Sequence, residues 1–396
     1  MLSVLPYHAA TASYFKQQQS VWQFFSNVTH KEEELQEYKT HLLKNSYKFD
    51  LACHDDLFEH LNRAKEKLGI SFPVTVYQAE HSEEMNATIL YVNEEAHIVF
   101  SGKLISSLTG EELLAVLAHE LMHAILYRQQ DGDLEIADRI ITAIGNHPGS
   151  TPAHYETARL FKLYTEIFCD RGAYLVTGSY TPIISSLVKI ATGLQTVNAD
   201  SYIKQAEEIF SSDAFTKAQG VTHPENFIRA RAIWLWHEKG PVAEPIITQM
   251  LEGHAGLDEL DLFKQQNLAL LTESVIKCLM SPSWMQTPLN IALAKQYFGN
   301  ISFTGAPEAI SLRNSVERLH PNLKDYLAYV LYDFATADKA LEDVPLGYAF
   351  YLADELQLES AFAAAVKKER KLTDKKTTTL KRTTLSALQA QDFQPA

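Results

Sequence analysis

Residues 116–125 read VLAHELMHAI: two histidines four positions apart, a glutamate beside the first, and apolar residues on nearly every other position. Burying an imidazole or carboxylate without a partner costs on the order of a few kcal/mol, so a helix core excludes such groups unless something compensates them. The residues upstream predict a helix. Thr109 followed by Glu112 has capping-box spacing, directly before the apolar run LLAVLA. Leu113, Leu114, Val116, Leu117, Leu121, Met122, Ile125 and Leu126 then surround the axis, which marks a central, buried helix.

On that helix His119 and His123 lie one above the other on one face, so their imidazoles converge. Two converging imidazoles are two ligands of a zinc ion, which takes nitrogen donors at about 2.0–2.1 Å. Glu120 lies about 100° further round the axis, where it flanks a metal without binding it. There it can take a proton from a metal-bound water, whose pKa a catalytic zinc lowers to about 7. A catalytic zinc needs a third protein ligand. The segment HYETARLFKLYTEIFCDRGAYLVTG (154–178) reads as a helix opened by Thr151 and Pro152 and closed by Gly178. Glu166 and Asp170 share one face of it, in mostly apolar surroundings. Glu166 is the candidate ligand, and Asp170 the acceptor that fixes a ligand histidine's tautomer. His147 and His154 are rivals in loop sequence and read as surface histidines.

Upstream, PVTVYQ (73–78), ATILYV (87–92) and AHIVFS (96–101) are β-branched and aromatic runs, and NEE joins the last two at hairpin length. A small antiparallel sheet is expected ahead of the motif helix. The expected fold class is α+β and mostly helical, in four parts: an N-terminal helical segment (1–69), a catalytic domain (70–240), a helical C-terminal domain (241–366) and a basic, disordered tail (367–396).

Charge narrows the function classes. The chain of 396 residues carries a formal −14, yet its last 30 residues hold 8 Lys and Arg against 3 acids. The remainder is therefore strongly acidic, which argues against nucleic acid, whose phosphates need a basic surface. No run of 18 or more apolar residues predicts membrane insertion. The first 20 residues lack a basic n-region, and Pro6, Tyr7 and His8 interrupt any apolar core, so no signal peptide is expected. Cys53, Cys169 and Cys278 are too few and too scattered for a disulfide framework and fit a reduced, cytoplasmic protein. Cys53, beside His54, reads as a core cysteine rather than an inhibitory thiol.

With these residues in place, NATILYVNEEAHIVFSGKLISSLTGEELLAVLAHELMHAI (86–125), EIFCD (166–170) and THPENFIRAR (222–231) resemble the HtpX and CAAX-prenyl-protease type of zinc metallopeptidase, within the gluzincins. The resemblance spans about residues 70–235. It implies a zincin-like catalytic domain with one Zn2+ per chain on His119, His123 and Glu166, Glu120 as general base and acid, and Asp170 orienting a ligand. Asn86 matches the family's edge strand, and His223 and Arg229 match its Thr-His-Pro and following arginine. Transmembrane helices of the named members are missing here, so membrane-embedded substrates are not inherited. Cys169 stands where the family commonly has alanine.

Three further expectations follow. The strand from Asn86 pairs with an extended peptide or protein substrate. Pro224 occupies the first position of a helix, placing His223 at its N-cap as oxyanion donor, and Arg229 either anchors that loop, binds a substrate carbonyl, or pairs with an acid such as Asp170. Residues 323–366 weakly resemble TerB-like helical domains through the Asp-rich turn at Asp338 and Asp343, and read as a packing or partner-binding module. A non-catalytic zinc scaffold or chaperone-like binding protein is the competing class, disfavoured because a structural zinc site needs no base.

Overall fold

The computed structural model describes residues 2–27 and 29–390. The chain divides into two compact units after Gly253. In the first, α1 (Pro6–Lys16), α2 (Gln19–Phe25) and α3 (Thr29–Asn45) precede β1 (Ser46–Lys48). Then come α4 (Asp55–Leu68), β2 (Val74–Ala79), β3 (Asn86–Val92) and β4 (Glu95–Ser101). The unit closes with α5 (Leu104–Ser107), α6 (Gly110–Arg128), α7 (Asp133–Gly145), α8 (Pro152–Thr177), α9 (Thr181–Thr192), α10 (Ala199–Ser212), α11 (Asn226–Lys239) and α12 (Glu244–Glu252).

The sheet is mixed rather than antiparallel, with order β1-β2-β4-β3. β3 and β4 form the expected hairpin, in register Val92↔Glu95 and Ile89↔Ile98. Its two-residue turn puts Asn93 and Glu94 at φ +50° and +60°, the mirror-image turn whose twist matches paired strands. β2 then joins the second hairpin strand, not the first, and runs parallel to it with Val76 opposite Ile98. β1, which propensity does not announce, adds antiparallel to the far side of β2. The consequence is that β3 is left as a sheet edge, and it runs beside α6.

α6 begins as its sequence requires. The Thr109 N–H donates to Glu112 Oε2 at 2.8 Å, and the Glu112 N–H donates back to Thr109 Oγ1 at 3.4 Å. The helix is buried along most of its length, with Leu114, Leu117, Leu121 and Leu126 inaccessible to solvent. α8 packs against it, ended by Gly178 in the left-handed region at φ +71°. The close crossing depends on Gly172: a Cβ there would lie 2.0 Å from Met122 Cγ. α1 docks on α7 and α8, and α4 on α6, so the N-terminal segment is part of this unit rather than an appendage.

The second unit contains α13 (Leu262–Leu279), α14 (Pro288–Tyr297), α15 (Ala309–Glu317), α16 (Pro321–Ala337), α17 (Val344–Glu355), α18 (Glu359–Glu369) and α19 (Asp374–Ala390). Its core gathers Phe334, Leu346, Phe350 and Phe362 with Leu279 and Leu331. The expected boundary at 240/241 gives way to one after Gly253, since α12 packs on α8 and α11. The tail expected to be disordered is largely helical. Thr377, Thr384 and Leu388 of α19 are buried, and α19 lies so close to α17 that a Cβ on Gly347 would stand 2.3 Å from Thr384 O. Residues 391–396 lie outside the described residues. The Asp-rich turn is structural: Asp338 caps Ala340 N–H at 2.9 Å, and Asp343 pairs with Arg370 at 3.1 Å. No described helix is long and apolar enough to cross a membrane.

Candidate metal centre

Four elements converge on one cleft of about 600 Å³: β3 with the segment before it, the middle of α6, the inward faces of α8 and α9, and the start of α11. Asn86, His119, Glu120, His123, Glu166, Asp170, His223 and Arg229 all line it. Residues separated by more than a hundred positions are thereby brought together.

Both imidazoles present Nε2 to Glu166. His119 Nε2 stands 3.4 Å from Glu166 Oε2, and His123 Nε2 stands 3.7 Å from Oε1. Donors bound at about 2.0–2.1 Å around a tetrahedral ion sit about 3.3 Å apart, so these separations suit one small cation. The fit has a second support. Glu166 Oε2 is buried and accepts no well-aligned hydrogen bond, although Arg229 Nη1 lies 3.1 Å away. Burial pushes the Glu166 carboxyl up, but the Arg229 charge and the facing imidazoles outweigh it and hold the group ionised, well below the usual carboxylate range.

The tautomer of His119 is fixed from behind. Its Nδ1 donates to Asp170 Oδ1 at 3.0 Å, which turns Nε2 toward the cleft. Asp170 is in turn gripped by Arg229, Nε to Oδ2 at 2.9 Å and Nη2 to Oδ1 at 2.6 Å. This fork-to-fork pair is buried, so each charge needs the other. Of the three alternatives for Arg229, the structure takes the ion pair with Asp170. Burial pulls the His119 imidazole down, but the Asp170 and Glu166 carboxylates facing its two nitrogens overcome this and raise it to about 10, so a cation at Nε2 has to displace a proton. His123, buried and without such a partner, is pushed down to about 4. Burial raises Glu120 to about 7, close to the value that suits a general base at neutral pH.

Cys169 is a second candidate third donor, since its Sγ and ring nitrogens of His119 and His123 lie within 4.8 Å of one another. It is fully buried, and burial raises its thiol well above the ordinary value, which keeps it protonated. A thiolate ligand would have to overcome that; Glu166 is already ionised.

His223 reaches the cleft, with Nε2 3.5 Å from Glu166 Oε1, but not as a helix cap. α11 starts at Asn226 with Glu225 as its N-cap residue, and Pro224 precedes the helix. The Glu225 carboxylate accepts the Gln219 N–H at 3.0 Å, and Arg159 donates to Ala218 O and Gly220 O at 3.2 Å each, so the loop ending at His223 is tied at several points. Asn86 heads β3, its Oδ1 accepting the Ala87 N–H at 2.9 Å. His147 and His154 lie outside the cleft lining. Cys53 is exposed rather than core, and it too is absent from that lining. α9 carries no chemical motif, yet its Ile183, Leu187 and Ile190 wall the cleft. Its Thr-Pro start and terminal Gly193 announced a helix, but not where the helix would pack.

Residues 54–128, from the start of α4 through the two motif histidines, match the sequence model of Peptidase family M48. That segment resembles an M48 peptidase domain. It is 28% identical over 199 residues to the Plastoglobule-localized metallopeptidase 48, chloroplastic, of Arabidopsis thaliana, an alignment covering 46% of this chain and 56% of that protein. The chain thus spans about half the length of the curated relative it matches. No solved structure matches it. The M48 match ends at Arg128, so Glu166, Asp170, His223 and Arg229 join the site by geometry beyond the matched segment.

Proposed function

We propose that this chain is a zinc-dependent endopeptidase of the HtpX and CAAX-prenyl-protease type, with one ion per chain held by His119, His123 and Glu166. The observation that carries the reading is the spacing of Glu166 from both Nε2 atoms, 3.4 and 3.7 Å, beside a buried Glu120 on the same cleft. When bound, zinc acts as a Lewis acid toward the scissile carbonyl and the attacking water. The remaining work falls to the chain. Glu120 takes the proton of the attacking water and passes it to the leaving nitrogen. Asp170 orients His119, and Arg229 holds both buried carboxylates in place. β3 offers its free edge to an extended peptide, entered at Asn86, as strand addition requires. His223 donates to the oxyanion that develops as the carbonyl is attacked.

The three cysteines are unpaired, which supports a reducing compartment such as the cytoplasm. A zinc scaffold without activity would need no base, and Glu120 supports the enzyme instead. The test is metal analysis of the purified chain together with digestion of a peptide library. One zinc per chain with chelator-sensitive cleavage is expected; zinc without cleavage would favour the scaffold.

A further inference from the structure

Asn86, the motif residues of α6, Glu166, Asp170 and Arg229 stand on a strand or a helix; among these groups of the cleft His223 alone rides on a loop. Residues 213–225, between α10 and α11, form neither helix nor strand. The His223 side chain is also far less enclosed than the motif imidazoles, 61% exposed against 13% for His119 and 18% for His123. Its Nδ1 meets the neighbouring Thr222 Oγ1 at 2.8 Å, a contact that travels with the loop and does not anchor it. Whatever keeps Nε2 3.5 Å from Glu166 therefore acts on the backbone.

That backbone is held from α8. Arg159 Nη1 donates to Ala218 O and to Gly220 O, each at 3.2 Å. The rest of the guanidinium is committed to Glu156, Nε to Oε2 at 2.7 Å and Nη2 to Oε1 at 2.8 Å, so the nitrogen that reaches the loop is aimed by a fork. A lysine there would be a single point charge on a flexible stem, with no second edge to offer. Glu225 grips from the other side by accepting the Gln219 N–H at 3.0 Å, and the Ala218 N–H reaches Met250 O at 2.8 Å. The link to His223 runs through Gly220. A Cβ on Gly220 would run into the His223 carbonyl oxygen, so the loop closes on itself with residue 220 backed against residue 223. Gly220 is not in the left-handed region, and close approach alone calls for glycine.

We propose that Arg159 is a positioning residue: by gripping Ala218 O and Gly220 O it sets His223 at the place where the oxyanion develops. This deepens the peptidase reading and rests on it, with His223 as the oxyanion donor. Arg159 lies outside the cleft lining and acts only through the loop. It shares α8 with Glu166, two turns further on, a rise of about 10 Å. One rigid helix thus carries the proposed metal donor and the anchor of the loop that faces it, which fixes the spacing of His223 from Glu166 without any hold on the ring itself. An oxyanion donor needs such a mount, because a misplacement of about 1 Å costs on the order of 10²-fold in rate.

The test is a mutant cycle on the zinc-loaded full chain, with Arg159→Gln, Gly220→Ala and His223→Ala made singly and Arg159→Gln also combined with His223→Ala. For each, kcat and KM on one peptide, zinc content and thermal midpoint are measured. Hydrogen exchange of residues 218–223 is followed by mass spectrometry on the same purified chains. Arg159→Gln is expected to lower kcat by up to about 10²-fold at unchanged KM and zinc. Once His223 is already alanine, it should change kcat by less than about twofold, because a residue that acts through another is not additive with it. Loop exchange should quicken in Arg159→Gln while α8 and α11 keep theirs. Gly220→Ala disturbs the same loop without touching Arg159 or Glu156 and should give a similar loss of kcat, so a fold defect from stranding Glu156 does not decide the outcome. Losses that add, or cleavage indifferent to His223→Ala, overturn this role for Arg159 and leave the peptidase reading standing. Absence of cleavage by the wild type overturns the peptidase reading; faster loop exchange in Arg159→Gln then keeps Arg159 as the anchor of His223, and unchanged exchange overturns that as well.

Discussion

His119 Nδ1 stands 3.0 Å from Asp170 Oδ1, across the crossing of α6 and α8. That contact decides which imidazole nitrogen faces the cleft, and Arg229 keeps Asp170 ionised to make it. Asp170→Ala should weaken zinc affinity by about 10–100-fold, as loss of a partner behind a ligand does. A competition titration against a chelator measures it. Unchanged affinity would reduce Asp170 to a counter-ion for Arg229.

Glu166 and Cys169 compete for the third ligand position, and the two variants separate them. Glu166→Ala should lose the ion on dialysis against chelator, because two imidazoles alone hold it weakly. Cys169→Ala should keep full zinc and lose only packing. The reverse pattern would make the thiol the donor.

For His223→Ala, kcat should fall by roughly 10²–10³ at unchanged zinc content, the effect of removing one oxyanion donor. A rise in KM alone would make His223 a substrate-binding residue. A fall in zinc content would make it a ligand, a role its 3.5 Å approach to Glu166 also permits.

Acid stability should report on His8, far from the metal ligands in sequence and inaccessible between α1 and α8. Its Nε2 meets Thr165 Oγ1 at 3.1 Å and Phe161 O at 3.3 Å, and burial pushes its imidazole down to about 4. The unfolded chain takes up a proton near pH 6.5 that the folded chain refuses until about pH 4. Stability from the neutral imidazole is therefore complete above pH 6.5 and is lost as pH falls through that window, by up to about 3 kcal/mol. Denaturation midpoints at stepped pH should fall more steeply for the wild type than for His8→Gln. Parallel curves would show that other groups dominate.

Local signals were legible and non-local ones were not. The Thr109 and Glu112 cap, the i, i+4 histidines, the Thr-Pro opening of α8 and its Gly178 end all act within a turn or two of chain, so the sequence displays them. The hairpin at Asn93 and Glu94 belongs to the same class. Which hairpin strand β2 joins depends on a long-range pairing, and the parallel match of Val76 with Ile98 leaves no local trace. The start of α11 turned on a competition: Pro224 is suited to the first helical position, but the Glu225 carboxylate turns back to the Gln219 N–H and the helix waits until Asn226. α19 was hidden by its composition. Its buried stripe needs only Thr377, Thr384 and Leu388 because α17 offers Gly347 for a close approach, and threonines and lysines elsewhere read as solvated chain. Lys189 and Glu112, 77 residues apart, become a pair only once α9 is packed on α6.

If Glu120 is the base of a peptidase, one substitution reveals it. Gln is near-isosteric with Glu and cannot accept a proton, and the proposed metal donors are other residues. Zinc content, helical circular dichroism and peptide cleavage should be measured side by side for the wild type and Glu120→Gln. Equal zinc, an unchanged fold and a loss of cleavage of at least about 10²-fold are expected, the lower end of what general acid–base catalysis contributes. Equal cleavage by the two proteins at equal zinc content would contradict it.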